Sequence, residues 1–314
     1  MSSDSVPGDP RPRDFVGYGA HPPHPRWPGD ARIAVNIVIN VEEGSEPSVP
    51  DGDAETEQGL TEGGGGGFKG RDLAAESMFE YGSRVGFWRL LRILRQHGAP
   101  ATFFACSRVL ERNAEIAGAI AEAVGSGTYD VCGHGLRWER HQTLTRAQEE
   151  AAIHEAHATL TRLTGEAPAG WYCRYAPTIH TRDIVAAHGG FLYDADAYND
   201  ELPYWTTALG RPHLVVPYSL AVNDAKFSRA AFATAGQFFE FMKDTFDVLY
   251  TEGETAPKMM TVGLHCRLMG QPGRALALTR FLEHVAGHDR VWLTRRGDIA
   301  RHWMATFPAP GGAA

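Results

Sequence analysis

The sequence predicts an α/β fold whose parallel strands wrap into a closed or nearly closed barrel, and three observations carry that prediction. Residues 32–41 (RIAVNIVINV) are an unbroken, β-branched apolar run, the pattern of a strand buried on both faces. Strand-like and helix-like stretches then alternate to the end of the chain, as in successive βαβ units. The 314 residues show no internal repeat and no linker between two domains, and α/β barrels of this size routinely form one domain.

Each element follows in order. Residues 1–30 are rich in proline and glycine, exclude a helix or central strand, and read as an N-terminal arm over the surface. The strand over 32–41 stops at Glu42-Glu43-Gly44. Residues 44–70 are polar, and the glycine run from Gly63 to Gly67 reads as a long mobile loop that could act as a lid. An amphipathic helix spans 84–97, with Gly98 as its C-cap. A strand over 101–106, a helix over 111–124 and a strand near 128–132 come next, and Thr145 caps a helix reaching about residue 163. Strands near 169–173, 190–194, 213–217, 259–264 and 290–293 alternate with helices near 181–188, 234–252, 273–286 and 297–306. One catalytic domain over 31–306 is expected, with a flexible tail over 307–314.

Composition narrows the function class. The chain is 43% hydrophobic and 22% charged, ordinary for a globular enzyme. A net charge of −8 advertises neither a nucleic-acid nor an acidic-membrane partner. The start has no basic segment followed by an apolar one, as a secretory signal requires, and no apolar run reaches the ~20 residues that cross a bilayer. Cys106, Cys132, Cys173 and Cys266 are widely spaced and read as core or pocket-wall residues. A reducing cytoplasm is the expected location.

Catalytic groups of parallel α/β folds sit at the carboxyl ends of strands, and four unusual clusters fall there. They are Asn40 to Gly44 with its two adjacent carboxylates, Cys132 to Trp138 around His134, Trp171 to Pro177 around Arg174, and Val262 to Arg267 around His265. Singly, each has a structural reading, as a solvated acid pair, a satisfied histidine or an arginine stacked on aromatics. All four on one chain favour an active site.

In the same order, these residues resemble the polysaccharide deacetylase family. Asn40 to Gly44 stand where the family has Thr-Phe-Asp-Asp-Gly, followed by His134, Arg174 with Pro177, and Leu264-His265. Longer stretches are similar to the metal-independent allantoinase branch: Phe15 to Gly19, Glu80 to Trp88, Gly190 to Asp194, Leu202 to Trp205 and Gly263 to Leu268. The resemblance covers about residues 30–305 and implies a distorted (β/α) barrel of the polysaccharide-deacetylase type, often a homo-oligomer. Glu42 and Glu43 replace the family's two aspartates, and Trp138 stands where its second metal histidine would be. Glu43 and His134 alone fall short of the three protein ligands usual for catalytic zinc. No cofactor is therefore expected, and weak binding of a divalent metal such as zinc stays open. The segment from Cys173 to Thr181 departs from the allantoinases.

The implied function is hydrolysis of a non-peptide amide C–N bond in a small cyclic amide, an allantoin-like ureide or an imide. Glu42 is the expected general base, its pKa raised by burial beside a second carboxylate. His265 would protonate the departing nitrogen. Arg174 would fix the carboxylates or steady the oxyanion, while Glu43 and His134 orient water or hold a metal. Trp138, Tyr175, Asp194, Asn223, Asp224 and Arg267 are candidate substrate contacts, and Asp194 or Asp196 could instead support Arg174. Two other readings remain: metal-dependent deacetylation of an N-acetyl carbohydrate of the peptidoglycan or chitin type, and a catalytically inert binding protein on the same scaffold.

Overall fold

A computed structural model describes residues 13–63 and 69–311. Residues 64–67 of the expected glycine lid, 1–12 of the arm and 312–314 of the tail lie outside the described residues. The first strand, β1 (Ile33–Val41), is buried at all nine positions. Such a strand needs partners on both edges, and β1 has three. β8 (Lys258–His265) runs along its full length, while β9 (Val291–Thr294) and β2 (Ala101–Ala105) share its other edge. The sheet continues through β3 (Tyr129–Gly133), β4 (Gly170–Trp171), β5 (Tyr193–Asp194) and β7 (Arg211–Val215) to β6 (Tyr204–Ala208) at the far edge. Every pairing is parallel except β6 with β7.

The register explains where chemistry can gather. Asn40 pairs with His265, Val41 with Ala105, Ala105 with Gly133, Gly133 with Trp171, and Trp171 with Asp194. Because parallel strands end on one side, Glu42, His134 and Tyr172 leave the sheet at the same rim as His265. Gly133 is required there, since a Cβ would lie 2.8 Å from the Trp171 ring.

Helices cover the outer face: α1 (Leu73–Tyr81), α2 (Phe87–Gln96), α3 (Ser107–Arg112), α4 (Ala114–Gly125), α5 (Arg146–Thr164), α6 (Thr181–His188), α7 (Ala235–Glu252), α8 (Cys266–Met269), α9 (Pro272–Ala286) and α10 (Arg296–Thr306). No helix among the described residues is long and apolar enough to cross a membrane. Several expectations change in detail. The helix expected over 84–97 starts earlier, at α1, where Asp72 caps Ala74 and Ala75; a π-helical turn over Gly82–Gly86 then leads into α2. The helix expected over 111–124 is divided, because the Asn113 side chain accepts from Ile116 N and starts α4 afresh. Strand β6 was not anticipated. It forms a hairpin with β7 through Leu209 and Gly210, both at positive φ, a two-residue turn of the kind that matches strand twist.

The sheet curls as a distorted (β/α) barrel but its ladder does not close, because β7 and β8 do not pair. Arg296 spans that seam. Fully buried, its NH1 donates to Asn36 Oδ1 (3.0 Å) and Thr261 Oγ1 (2.9 Å), and its NH2 donates to the carbonyls of Val216 (2.5 Å) and Pro217 (3.0 Å). A single bridge, Asn223 to Gly263, adds to it. At the far edge, Tyr18 Oη donates to Pro203 O (2.7 Å) and Trp205 Nε1 to Phe307 O (2.8 Å), so segments from both ends of the chain lie beside β6. Replacing Arg296 by Met fills similar volume but leaves buried carbonyls without donors. Each such orphan costs about 1–3 kcal/mol, so the denaturant midpoint of Arg296→Met falls with an unchanged slope.

Candidate active site

Two acidic residues leaving one buried strand must be neutralised or protonated. Glu42 and Glu43 are 1% and 3% exposed. The cation that meets them is Arg267, in the first turn of α8 and buried as well. Its NH1 lies 2.7 Å from Glu42 Oε2 and 3.1 Å from Glu43 Oε1, and its backbone N–H donates to Glu43 Oε1 (3.0 Å). Nε donates to Leu60 O (2.9 Å), while NH2 is buried with no acceptor among the described residues.

Two histidines face the other oxygen of Glu42. His134 Nε2 is 3.1 Å and His265 Nε2 is 3.5 Å from Glu42 Oε1. Each ring is fixed through its second nitrogen. His134 Nδ1 donates to Tyr172 O (2.8 Å), and the ring stacks on Tyr172 at 14°. His265 Nδ1 lies 2.6 Å from Asp224 Oδ1, and Asp224 Oδ2 accepts from the backbone N–H groups of His265 (2.8 Å) and Met269 (3.1 Å). Asp224 thus orders both His265 and the helix that carries Arg267.

These surroundings set the proton affinities. Burial alone would raise Glu42, but His265, Arg267 and His134 outweigh it and hold the carboxyl well below the usual range. That corrects the expectation of a raised pKa: the neighbour that matters is not the second carboxylate but three cationic or donor groups. Glu43 moves the other way, raised by burial and only partly offset by Arg267. Burial lowers His265, yet Glu42 and Asp224 reverse this and raise it.

The π-helical turn packs against the acid pair. A Cβ on Gly82 would sit 2.6 Å from the Glu43 carboxyl carbon, and Ser83 Oγ donates to Glu43 O (3.3 Å). Irregular turns of this kind frequently occur at functional sites.

Other expected residues lie elsewhere. Arg174 does not touch Glu42 or Glu43: its NH2 pairs with Glu57 Oε2 at 2.5 Å and its NH1 donates to Trp138 O. The Trp138 ring packs against both arginines, its centroid 3.6 Å from the Arg174 guanidinium carbon and 4.8 Å from that of Arg267. Trp138 is itself 3% exposed, a packed wall and not an open contact. Asp194 is fixed by Arg182 (2.7 Å) and His213 (2.8 Å), and supports those residues instead of Arg174. Asp196 accepts from Cys173 N, and burial beside Asp194 pushes its pKa up to about 7. Tyr175 is 64% exposed and turned toward Tyr198. Asn223 caps the short helix from Asp224 to Arg229 and donates to Tyr218 Oη (3.1 Å), a structural task. Glu57 had no signal in the polar stretch around it, and Tyr172 was visible only as a member of the third cluster.

A model of the family "Polysaccharide deacetylase" matches residues 70–189. A Schizosaccharomyces pombe protein assigned to the polysaccharide deacetylases is 37% identical across 94% of this chain and 98% of its own length. The chain belongs to the polysaccharide deacetylase family. It is accordingly a hydrolase of carbon–nitrogen bonds other than peptide bonds. Two solved structures share its fold at a TM-score of 0.89 and 48% identity, each covering 95% of this chain and 99% of the other. One is PuuE allantoinase and the other a probable polysaccharide deacetylase from Pseudomonas aeruginosa PAO1.

The resemblance implies a metal in many polysaccharide deacetylases, and the donors at this rim do not fit one. Among the described residues, the groups of three or more donors that converge closely are His141, Glu149 and Cys173, and Asp247, His284 and His288. Neither includes Glu42, Glu43, His134 or His265. The cation that meets the acid pair is Arg267. His141 faces Glu149 Oε1 (3.1 Å) and Cys173.

The raised His265 pKa has a testable sign. A group raised on folding contributes stability that is complete below its unfolded pKa and is lost as pH rises through the folded one. In Asp224→Asn the His265 titration seen by NMR moves down, and the stability deficit against wild type is largest on the acid side of that window.

Proposed function

We propose that the chain hydrolyses a small, uncharged cyclic amide, a ureide or imide, by water attack without a metal. The observation that carries this reading is enclosure. Glu42, Glu43, His134, His265 and Arg267 are each at most 6% exposed, a setting that suits a small molecule, whereas a polymer needs an open groove above the reacting groups. The 48% identity with PuuE allantoinase along nearly the whole chain supports it.

In this mechanism water attacks the carbonyl carbon and gives its proton to Glu42. His265, whose proton affinity Glu42 and Asp224 raise, delivers a proton to the nitrogen as the C–N bond breaks. The 3.5 Å between Glu42 Oε1 and His265 Nε2 lets the captured proton return to His265 and close the cycle. A base of low proton affinity is ionised at every physiological pH, but it extracts a proton with little driving force. Oxyanion stabilisation must then carry more of the rate. The buried NH2 of Arg267, which has no partner among the described residues, is the donor we assign to the substrate oxygen. His134 orients Glu42, and Glu43 holds Arg267.

Deacetylation of an N-acetyl carbohydrate is the second reading, favoured by the Pseudomonas aeruginosa relative at equal identity. A broad cavity of about 1440 Å³, walled in part by Tyr198, Tyr204 and Trp205, has the breadth for a sugar chain. Its lining includes none of Glu42, His134 or His265, which weighs against it as the reacting site.

A panel of cyclic ureides and imides, including allantoin, is assayed beside N-acetyl sugars before and after exhaustive chelation. Ring opening that survives chelation is expected; deacetylation lost with the metal would sink the reading. On the best substrate, Glu42→Gln lowers kcat by ~10²–10⁴-fold. Arg267→Met lowers it by ~10²–10³-fold, whereas Arg174→Met, which leaves the acid pair intact, changes kcat less than either.

A further inference from the structure

We propose that Asp247, His284 and His288 form a second site, on the outer face of the α7–α9 helix pair, that binds a divalent transition metal of the zinc class. One ligand atom from each lies within 4.8 Å of the others. Tetrahedral zinc with bonds of about 2.0–2.2 Å needs its donors at about 3.4 Å from one another, so the cluster closes through small side-chain rotations. Two imidazoles and one carboxylate select zinc, cobalt, nickel or copper over magnesium or calcium.

The bland alternative is a surface ion-pair network. His284 Nε2 and Lys243 Nζ do meet opposite oxygens of Asp247, at 2.7 and 2.5 Å. That network does not account for His288, which takes no part in it. His288 Nδ1 donates to His284 O at 2.9 Å. A bond from the far ring nitrogen to a carbonyl is the one that metal-binding histidines characteristically make, because it places the lone pair on Nε2. Phe246 packs edge-on against both imidazoles, with centroids at 5.3 and 5.0 Å, and Tyr250 against His288 at 5.0 Å, so the rings are held in place. Asp247 is 37% exposed and His284 18%, which leaves a path for the ion and a coordination position for water. Lys243 is the built-in competitor, since its ammonium claims the carboxylate the metal needs. A bound ion would fasten the end of α9 to α7.

The test uses the full chain, stripped of metal and titrated with Co²⁺ and Zn²⁺. Wild type is expected to develop the visible absorption of tetrahedral cobalt, and its Tm to rise by about 4 °C at a hundredfold excess over Kd. His288→Gln abolishes both responses while keeping its metal-free Tm. Lys243→Met strengthens binding, a gain that misfolding cannot imitate. The His134→Asn variant keeps the cobalt spectrum, which separates this site from the catalytic rim and makes the result independent of the hydrolytic reading. The proposal is overturned if wild type shows no cobalt band, or if the band survives in the His284→Gln/His288→Gln double variant.

Discussion

One guanidinium shared between two buried carboxylates is the constraint on which this rim depends. Glu42 and Glu43 are consecutive, so their backbone atoms cannot separate, and burial would drive one or both to take up protons. Arg267 prevents this for Glu42 by touching both. The arrangement asks much of its neighbours. Helix α8 has four residues and must begin directly at the end of β8, and it is Asp224 that binds the backbone on either side of Arg267. Gly86 and Gly270 are needed for the close approach of the π-helical turn to the α8 backbone. Trp138 packs against both Arg267 and Arg174, and Arg174 pairs with Glu57. Two arginines thus share one indole but keep separate counter-ions, Glu57 for Arg174 and the acid pair for Arg267.

Below the rim, Arg296 performs a different electrostatic task. All four of its acceptors are neutral, and two are carbonyls on the far side of the open seam. Strands β7 and β8 lack mutual hydrogen bonds, so side-chain donors substitute for a ladder. A buried cation without a carboxylate is costly, and its retention here follows from its being the donor that reaches both lips of the seam.

Much of this was legible in the sequence because it was periodic or local. The β-branched run of β1, the helical stretches, and the gathering of Glu42, Glu43, His134 and His265 at strand ends all follow from short-range patterns. What escaped was set by partners distant in the chain. Nothing local distinguishes Arg174 from Arg267 as the partner of the acid pair, because the choice rests on the Trp138 ring and on Glu57, a residue of an unpatterned loop. The sign of the Glu42 shift escaped for the same reason, since two adjacent acids suggest repulsion and only the fold supplies the three groups that reverse it. Asp224 looked like a substrate contact until β8 placed His265 beside it. Strand β6 was hidden because Tyr204 to Ala208 is short, partly exposed and paired only locally.

That last strand has a consequence for solubility. Among the described residues β6 pairs only with β7, so its other side presents unpaired backbone groups of the kind that template association between molecules. Tyr18 from the leading segment and Phe307 from the trailing one are both tied to this border, at Pro203 and Trp205. These peripheral segments therefore act as edge guards: they contribute nothing to the reacting groups, yet trimming either back would bare a strand able to recruit another chain.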